Sequence, residues 1–295
     1  MRSPGSKNDR GRSLLLFLLP CYLLGRILHL IAGQIPSLLI VALQVLPPAL
    51  FALIHGSRIY GRRGIFVFAA LCLSIGALSE TVSLRTGFPF GRYEFTDLMG
   101  PRVFKLPVLL ALAYVGMGYL SWVLAVLILR NQARPLSGRR IILLPLMASF
   151  VMVAWDISQD PVWANIDHAW TWRDGGAYYG VPVSNFFGWF LTVYIFYQLF
   201  AWYLKNKPVA RPEAAHWRFA ILFYAAFAAG NLLVTAPSSL SPTIVDASGR
   251  HWLSSDILWA SRLVSIFLMM PLGLFAWAGT SAAADAPIKG EFLID

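Results

Sequence analysis

Asp156 and Asp160 stand four residues apart at the end of an apolar stretch, so on a helix both carboxyls project from one face. Such a pair can share a proton, a metal ion or a pair of arginines. Like charges this close disfavour double ionisation, and a carboxyl that keeps its proton through burial can serve as a general acid. The spacing also fits two acidic residues solvated at a helix end. Glu80 carries more information, because it lies near the end of the apolar run 64–84. If that run crosses lipid, an ionised carboxylate there is expensive and marks a candidate functional position; a structural ion pair with Arg26 or Arg262 is the competing reading. A third cluster follows Asp160: Trp163, Trp170, Trp172, Gly175, Gly176, Tyr178, Tyr179, Gly180, Ser184, Asn185 and Trp189. A belt of aromatic residues at the lipid headgroups explains several of these. It does not explain Asn185, just inside an apolar run, where an unpaired amide costs free energy and calls for a partner or ligand. Indole and phenol rings can also stabilise a cation through their negative faces.

The elements that must position these groups follow from hydropathy. Of the 295 residues 58% are hydrophobic, mean hydropathy is +0.63, and the apolar residues come in blocks. Roughly 20 apolar residues are needed for a helix to cross a ~30 Å hydrocarbon core. Stretches of about that length fall at 13–32, 36–56, 64–84, 107–129, 141–158, 183–204, 217–236 and 255–279. The expectation is an all-α polytopic bundle of about eight transmembrane helices. Runs such as Pro107–Leu129 are apolar all round rather than alternating, which fits helices and not a β-barrel. The basic leader 1–12 is expected to be disordered, residues 13–280 to form the transmembrane domain, and 281–295 a short polar cytoplasmic tail. A secretory signal over the first run is disfavoured by Arg26 and His29 and by the lack of a small-residue cleavage pattern.

The net charge of +10 raises nucleic acid as a partner. The charges instead sort by side. Sixteen of the 24 basic residues fall at Arg2 to Arg12, Arg58 to Arg63, Arg130 to Arg140, Lys205 to Arg218 and Lys289, the connections that share a side with the N-terminus. The positive-inside rule then gives an N-in, C-in chain, with anionic lipid headgroups rather than nucleic acid beside its cations. Nine of the 14 acidic residues, among them all three candidates, fall on the other side. There the connections 86–106, 160–182 and 237–254 are long and rich in aromatic residues, glycine and proline, as functional loops are.

Several chemistries lack their residues. The five histidines are scattered, so a di-iron oxygenase has no ligand cluster. No lysine lies deep in an apolar run to form a retinal Schiff base, and no glycine-rich nucleotide fingerprint is present. Cys21 and Cys72 both sit in apolar runs and read as structural thiols.

The polar stretches Glu80-Thr81, Thr86-Gly87-Phe88-Pro89-Phe90-Gly91-Arg92-Tyr93 and Gly100-Pro101 resemble the signature of the membrane carotenoid biosynthesis family. So do Ala154-Trp155-Asp156 with Asp160-Pro161, Trp170 and Trp172, and the run from Tyr179-Gly180-Val181-Pro182 through Ser184-Asn185-Phe186 to Gly188-Trp189. That family includes carotenoid 1,2-hydratases of the bisanhydrobacterioruberin and γ-carotene type, and the resemblance covers roughly 64–200. It implies hydration of a terminal isoprenoid double bond to a tertiary 1-hydroxy group, with no cofactor and no metal. The partners implied are a carotenoid polyene, membrane lipid and other carotenoid biosynthesis enzymes. The location implied is the bacterial inner membrane, where a polyene about as long as the ~30 Å core brings its end to an interfacial site.

On this reading Asp156 or Glu80 is the acid and Asp160 the base. Arg92, Tyr93 and Asn185 order the water and the polar end, and Trp155, Trp172, Tyr178 and Tyr179 line a cation pocket. Two alternatives stay open. Asp156-xxx-Asp160 echoes one motif of the intramembrane prenyltransferases, where Mg²⁺ bridges carboxylates and a diphosphate, although no second aspartate-rich motif is present. The other alternative is a non-catalytic carotenoid-binding protein whose aromatic loops hold a polyene end.

Overall fold

The computed structural model of the chain describes residues 5–103, 105–132, 135–210, 212–236 and 240–281. Residues 1–4 of the expected leader and 282–295 of the expected tail lie outside these. The first helix, α1 (Gly5–Leu28), begins at Gly5 rather than at residue 13. The helices α2 (Ser37–Thr86), α3 (Val108–Ile128), α4 (Arg140–Asn165), α5 (Val183–Leu204) and α6 (Ala214–Leu232) follow, then α7 (Ser254–Val264) and α8 (Met270–Ser281), joined through a single π-helical turn at Ser265–Met269. Among the described residues six helical stretches are long and apolar enough to cross a membrane. The chain is thus an all-α, multi-pass membrane protein.

One of those stretches is α2, whose 50 residues would reach ~75 Å if straight, more than twice the hydrocarbon thickness. It is not straight. At Gly61 the backbone leaves the helix (φ 71°, ψ 167°), a conformation open to glycine for want of a Cβ. The two limbs then run in opposite directions along α3. On the first limb Tyr60 and His55 hydrogen-bond Trp122 and Tyr119 at 2.9 and 2.6 Å, and a Cβ on Gly116 would stand 2.9 Å from Ala49. On the second limb Cys72 faces Gly118, and Gly76 faces Tyr114. The runs 36–56 and 64–84 are therefore one hairpin of helices.

A helix that is apolar on every side belongs in the centre of a bundle, and α3 takes that place, 83% of its most apolar window being buried. Both limbs of α2, with α4, α6 and α8, pack around it, and α5 meets it through Phe196 and Tyr197 at Gly118. The periphery is equally apolar where it meets no protein: Phe66, Phe150, Phe187, Phe267 and Leu274 are all more than 60% exposed, as expected where the surrounding solvent is lipid.

At the end of the bundle opposite Gly61 the connections carry three two-stranded antiparallel ladders that hydropathy does not reveal. The ladder of β1 (Tyr93–Phe95) with β4 (Trp170–Trp172) pairs Tyr93 with Trp172 and Phe95 with Trp170. Side chains alternate across a strand, so Tyr93 and Trp172 turn into the protein while Glu94 and Thr171 face out. The other ladders join β2 (Arg102–Val103) to β3 (Leu106–Pro107) and β5 (Thr243–Val245) to β6 (His251–Leu253). The β1–β4 ladder lies over the end of α4 as a cover.

Candidate active site

Helix α4 continues past Asp156 and Asp160, and past Pro161, to Asn165, so both carboxyls sit within the helix rather than at its solvated end. Both are buried, at 4% and 2% exposure. Asn185, three residues into α5, donates its amide to both, at 3.2 Å to Asp156 and 2.6 Å to Asp160. The partner that a buried amide calls for is thus the carboxyl pair. Asp160 is also met from the cover: the indole N–H groups of Trp170 and Trp172 reach its other oxygen at 3.0 and 3.1 Å. Asp156 has only the Asn185 bond, and among the described residues its second oxygen has no hydrogen-bond partner.

Glu80 approaches from the second limb of α2 and is 3% exposed. It accepts from Tyr114 of α3 at 2.9 Å and from Tyr93 of the cover. Neither Arg26 nor Arg262 pairs with it: Arg26 donates to Gln44 and Asn231, and Arg262 to the Val234 carbonyl. Among the described residues none of the three carboxyls makes an ion pair. Trp189 of α5 ties the two sides together, stacking on Tyr114 (ring centroids 4.6 Å apart) and meeting Trp155 edge to face at 6.2 Å.

An apolar cleft of about 620 Å³, counted to its open mouth, reaches Asp156 and Asp160. Trp155, Trp163, Trp170 and Trp189 supply its rings, and Arg26, Gln44 and Gln159 a polar wall. A smaller pocket of about 280 Å³, likewise counted to its open mouth, lies on the far side of Asp160, bounded by Glu80, Tyr93, Trp172 and Asn185. Asp160, Trp170 and Trp189 border both, so Asp160 stands between the cleft that Asp156 lines and the cavity that Glu80 lines.

Of the residues singled out by sequence, Glu80, Asp156, Asp160, Tyr93, Trp155, Trp172 and Asn185 come together here. Tyr178 and Tyr179 line neither cavity: their rings meet each other, Phe186 and Trp252, although Tyr178 lies near enough to Asp160 to feel its charge. Arg92 is also elsewhere. Its side chain is 67% exposed and grips Asp174 at 2.8 Å on the outer side of the cover, next to a second exposed pair of Arg173 with Glu94. The Arg92 guanidinium holds the Asp174 carboxyl below the usual carboxylate range. Any stability this pair gives is present above that range and fades as pH falls through the lowered value, and water screens it. Arg92→Gln should therefore leave the buried site intact, with an unfolding temperature in detergent at neutral pH close to that of the wild type.

Sequence reasoning passed over Tyr114, Gln44, Gln159 and Asn231. Their signal was the one used for Glu80, a polar group inside an apolar run. Trp170 and Trp189 belong to the quoted motifs, yet only the fold shows one bonded to Asp160 and the other stacked on Tyr114.

The family model described as carotenoid biosynthesis protein matches residues 35–247. The chain belongs to this family of carotenoid biosynthesis proteins, and the matched stretch contains every carboxyl and ring of the site described above. No curated protein and no solved structure matches the chain.

Proposed function

We propose that the protein is a carotenoid hydratase that adds water across a terminal isoprenoid double bond without a cofactor. The observation that carries this reading is a pair of buried carboxyls, Asp156 and Asp160, at the end of an apolar cleft walled by indole rings, with a third, Glu80, in the adjoining cavity and none of them ion-paired among the described residues. The donors around the pair divide the roles. Asp160 faces two indole N–H groups and one amide, none of which can accept in return, so of the two it is the carboxylate. Asp156 has one oxygen left over and carries the proton.

Asp156 delivers that proton to the less substituted carbon of the double bond; the π electrons form the new C–H bond and leave a tertiary cation at the neighbouring carbon. Trp155 and Trp189 lie where their faces can stabilise it. A water attacks the cation and gives up a proton to Asp160. Solvent then returns Asp156 and Asp160 to their starting states, and the sum is alkene plus water to tertiary alcohol. Glu80 holds the hydroxyls of Tyr93 and Tyr114 and, through Tyr114, the ring on which Trp189 stacks.

The protein would cross the bacterial inner membrane eight times, with α2 counted twice, both termini inside and the covered end outward, in line with the distribution of its basic residues. Expression in a strain that makes an acyclic carotenoid should yield pigment heavier by one or two waters by mass spectrometry. Pigment that co-purifies with the protein and is never converted would overturn the reading. Within that assay Trp172→Phe, which keeps a ring but removes one donor to Asp160, should lower the yield on the order of 10-fold, a modest share of what a charge-stabilising donor is worth.

A further inference from the structure

Arg26 is a buried cation that the proposed reaction has not used. It lies in α1, outside the stretch matched by the family model. Only 4% exposed, it lines the same cleft as Asp156 and Asp160. A guanidinium offers five N–H donors and no acceptor. One terminal nitrogen is held by Gln44 at 3.0 Å and the other by Asn231 at 2.9 Å, while Nε has no partner. No carboxylate among the described residues stands within ion-pair distance. The Asn231 oxygen that accepts from Arg26 also accepts from Gln159, and the Asn231 amide nitrogen donates to Ser265 in the π-helical turn. The guanidinium is thus fixed before any ligand arrives. Gln44, whose oxygen serves Arg26, has an amide nitrogen with no hydrogen bond to the described residues, and it lines the cleft as well.

Every spare polar group on this wall is a donor, so the atom it receives must be an acceptor. Asp160 already supplies a negative charge within the same cleft, which removes the need for an anionic ligand and favours a neutral oxygen. We propose that Arg26 and Gln44 hold the oxygen that is added to the substrate, first as water and then as the tertiary alcohol. The proposal rests on the hydratase reading and deepens it. The water accepts one hydrogen bond from this wall and gives its proton to Asp160, so its remaining lone pair points at the cation. Arg26 then binds the nucleophile and takes no part in protonating the alkene.

That separation is testable in D₂O. Asp156 delivers a deuteron, and the cation either captures water or loses a proton back, leaving deuterium in recovered alkene. Wild-type protein in membranes, given an acyclic carotenoid, should form deuterated alcohol. Arg26→Met should form alcohol on the order of 10²-fold more slowly, the cost of a misplaced nucleophile, while recovered alkene still gains deuterium. Gly230→Ala is a second route: its added Cβ would stand 2.5 Å from Arg26 Nε and displace the guanidinium without removing it. It should give the same pattern if Arg26→Met fails to accumulate. Hydration at the wild-type rate in the accumulating variant, or loss of deuterium exchange together with hydration, overturns the role of Arg26 and leaves the hydratase reading standing. If the wild-type protein forms no alcohol, both fall.

Discussion

Asp156→Asn is expected to accumulate in the membrane like the wild type and to lose hydration by about 10²–10⁴-fold, the range for removing a general acid. Asparagine fills the same space, and its carbonyl can still accept the Asn185 amide that now bonds Asp156 at 3.2 Å. Only the transferable proton is gone. Asp160→Asn should behave differently. There one carbonyl and one NH₂ replace two acceptor oxygens that receive three N–H donors, so at least one indole or amide is left facing a donor. A buried donor without an acceptor costs ~1–3 kcal/mol, so this variant should lose thermal stability as well as activity. Paired measurement of hydrated pigment and of unfolding temperature in detergent tests the division of roles. Equal destabilisation by the two substitutions, or near-normal product from Asp156→Asn, would refute it.

The bundle was legible in the sequence because lipid imposes one simple rule, that an apolar run of sufficient length becomes a helix. The same rule misjudged where helices end. It left 57–63 outside the runs 36–56 and 64–84, whereas the chain stays helical up to a single glycine on either side, and it stopped the fifth run at 158, whereas α4 carries on through Pro161 to Asn165. The strands escaped because ladders of two or three residues have no periodicity of their own. The β1–β4 pair brings Tyr93, Trp170 and Trp172 to Glu80 and Asp160.

For the site, the sequence identified the acids and Asn185 but offered Arg26 only as an ion-pair partner of Glu80. Arg92 drew attention because it adjoins Tyr93 in a recognisable motif. Yet on a strand neighbouring residues face opposite sides, and the ladder that turns Tyr93 inward continues, at Arg92, into the exposed pair with Asp174. The guanidinium in the cleft is Arg26, more than 50 residues from any acid of the site in sequence, and it bonds Gln44 and Asn231 rather than Glu80.

The position of Asn185 depends on a backbone contact that leaves no room for a methyl group. Residues 176–182 fold into a tight turn, with Tyr178 and Val181 exchanging backbone hydrogen bonds at 3.2 and 3.0 Å and Gly180 at φ +80°. The turn ends on Pro182, from which α5 and Asn185 follow. Gly176 lies directly against it: a Cβ there would stand 2.0 Å from the Val181 carbonyl and 2.2 Å from the Pro182 nitrogen. Both neighbours are main chain and cannot rotate away, so Gly176→Ala must push the start of α5 outward. We expect a loss of about 3 kcal/mol, at the upper end of overpacking costs, and a loss of activity greater than the fall in protein level explains, because Asn185 moves relative to both aspartates. Gly249→Ala is the matched control. Its φ of +79° also disfavours a side chain, but nothing stands within 4 Å of the added carbon. It should cost only the ~1–2 kcal/mol of a left-handed residue and spare the reaction. Unfolding temperatures and turnover per folded molecule decide the matter. If Gly176→Ala proves no worse than Gly249→Ala on both measures, the turn does not set the geometry of the acid pair.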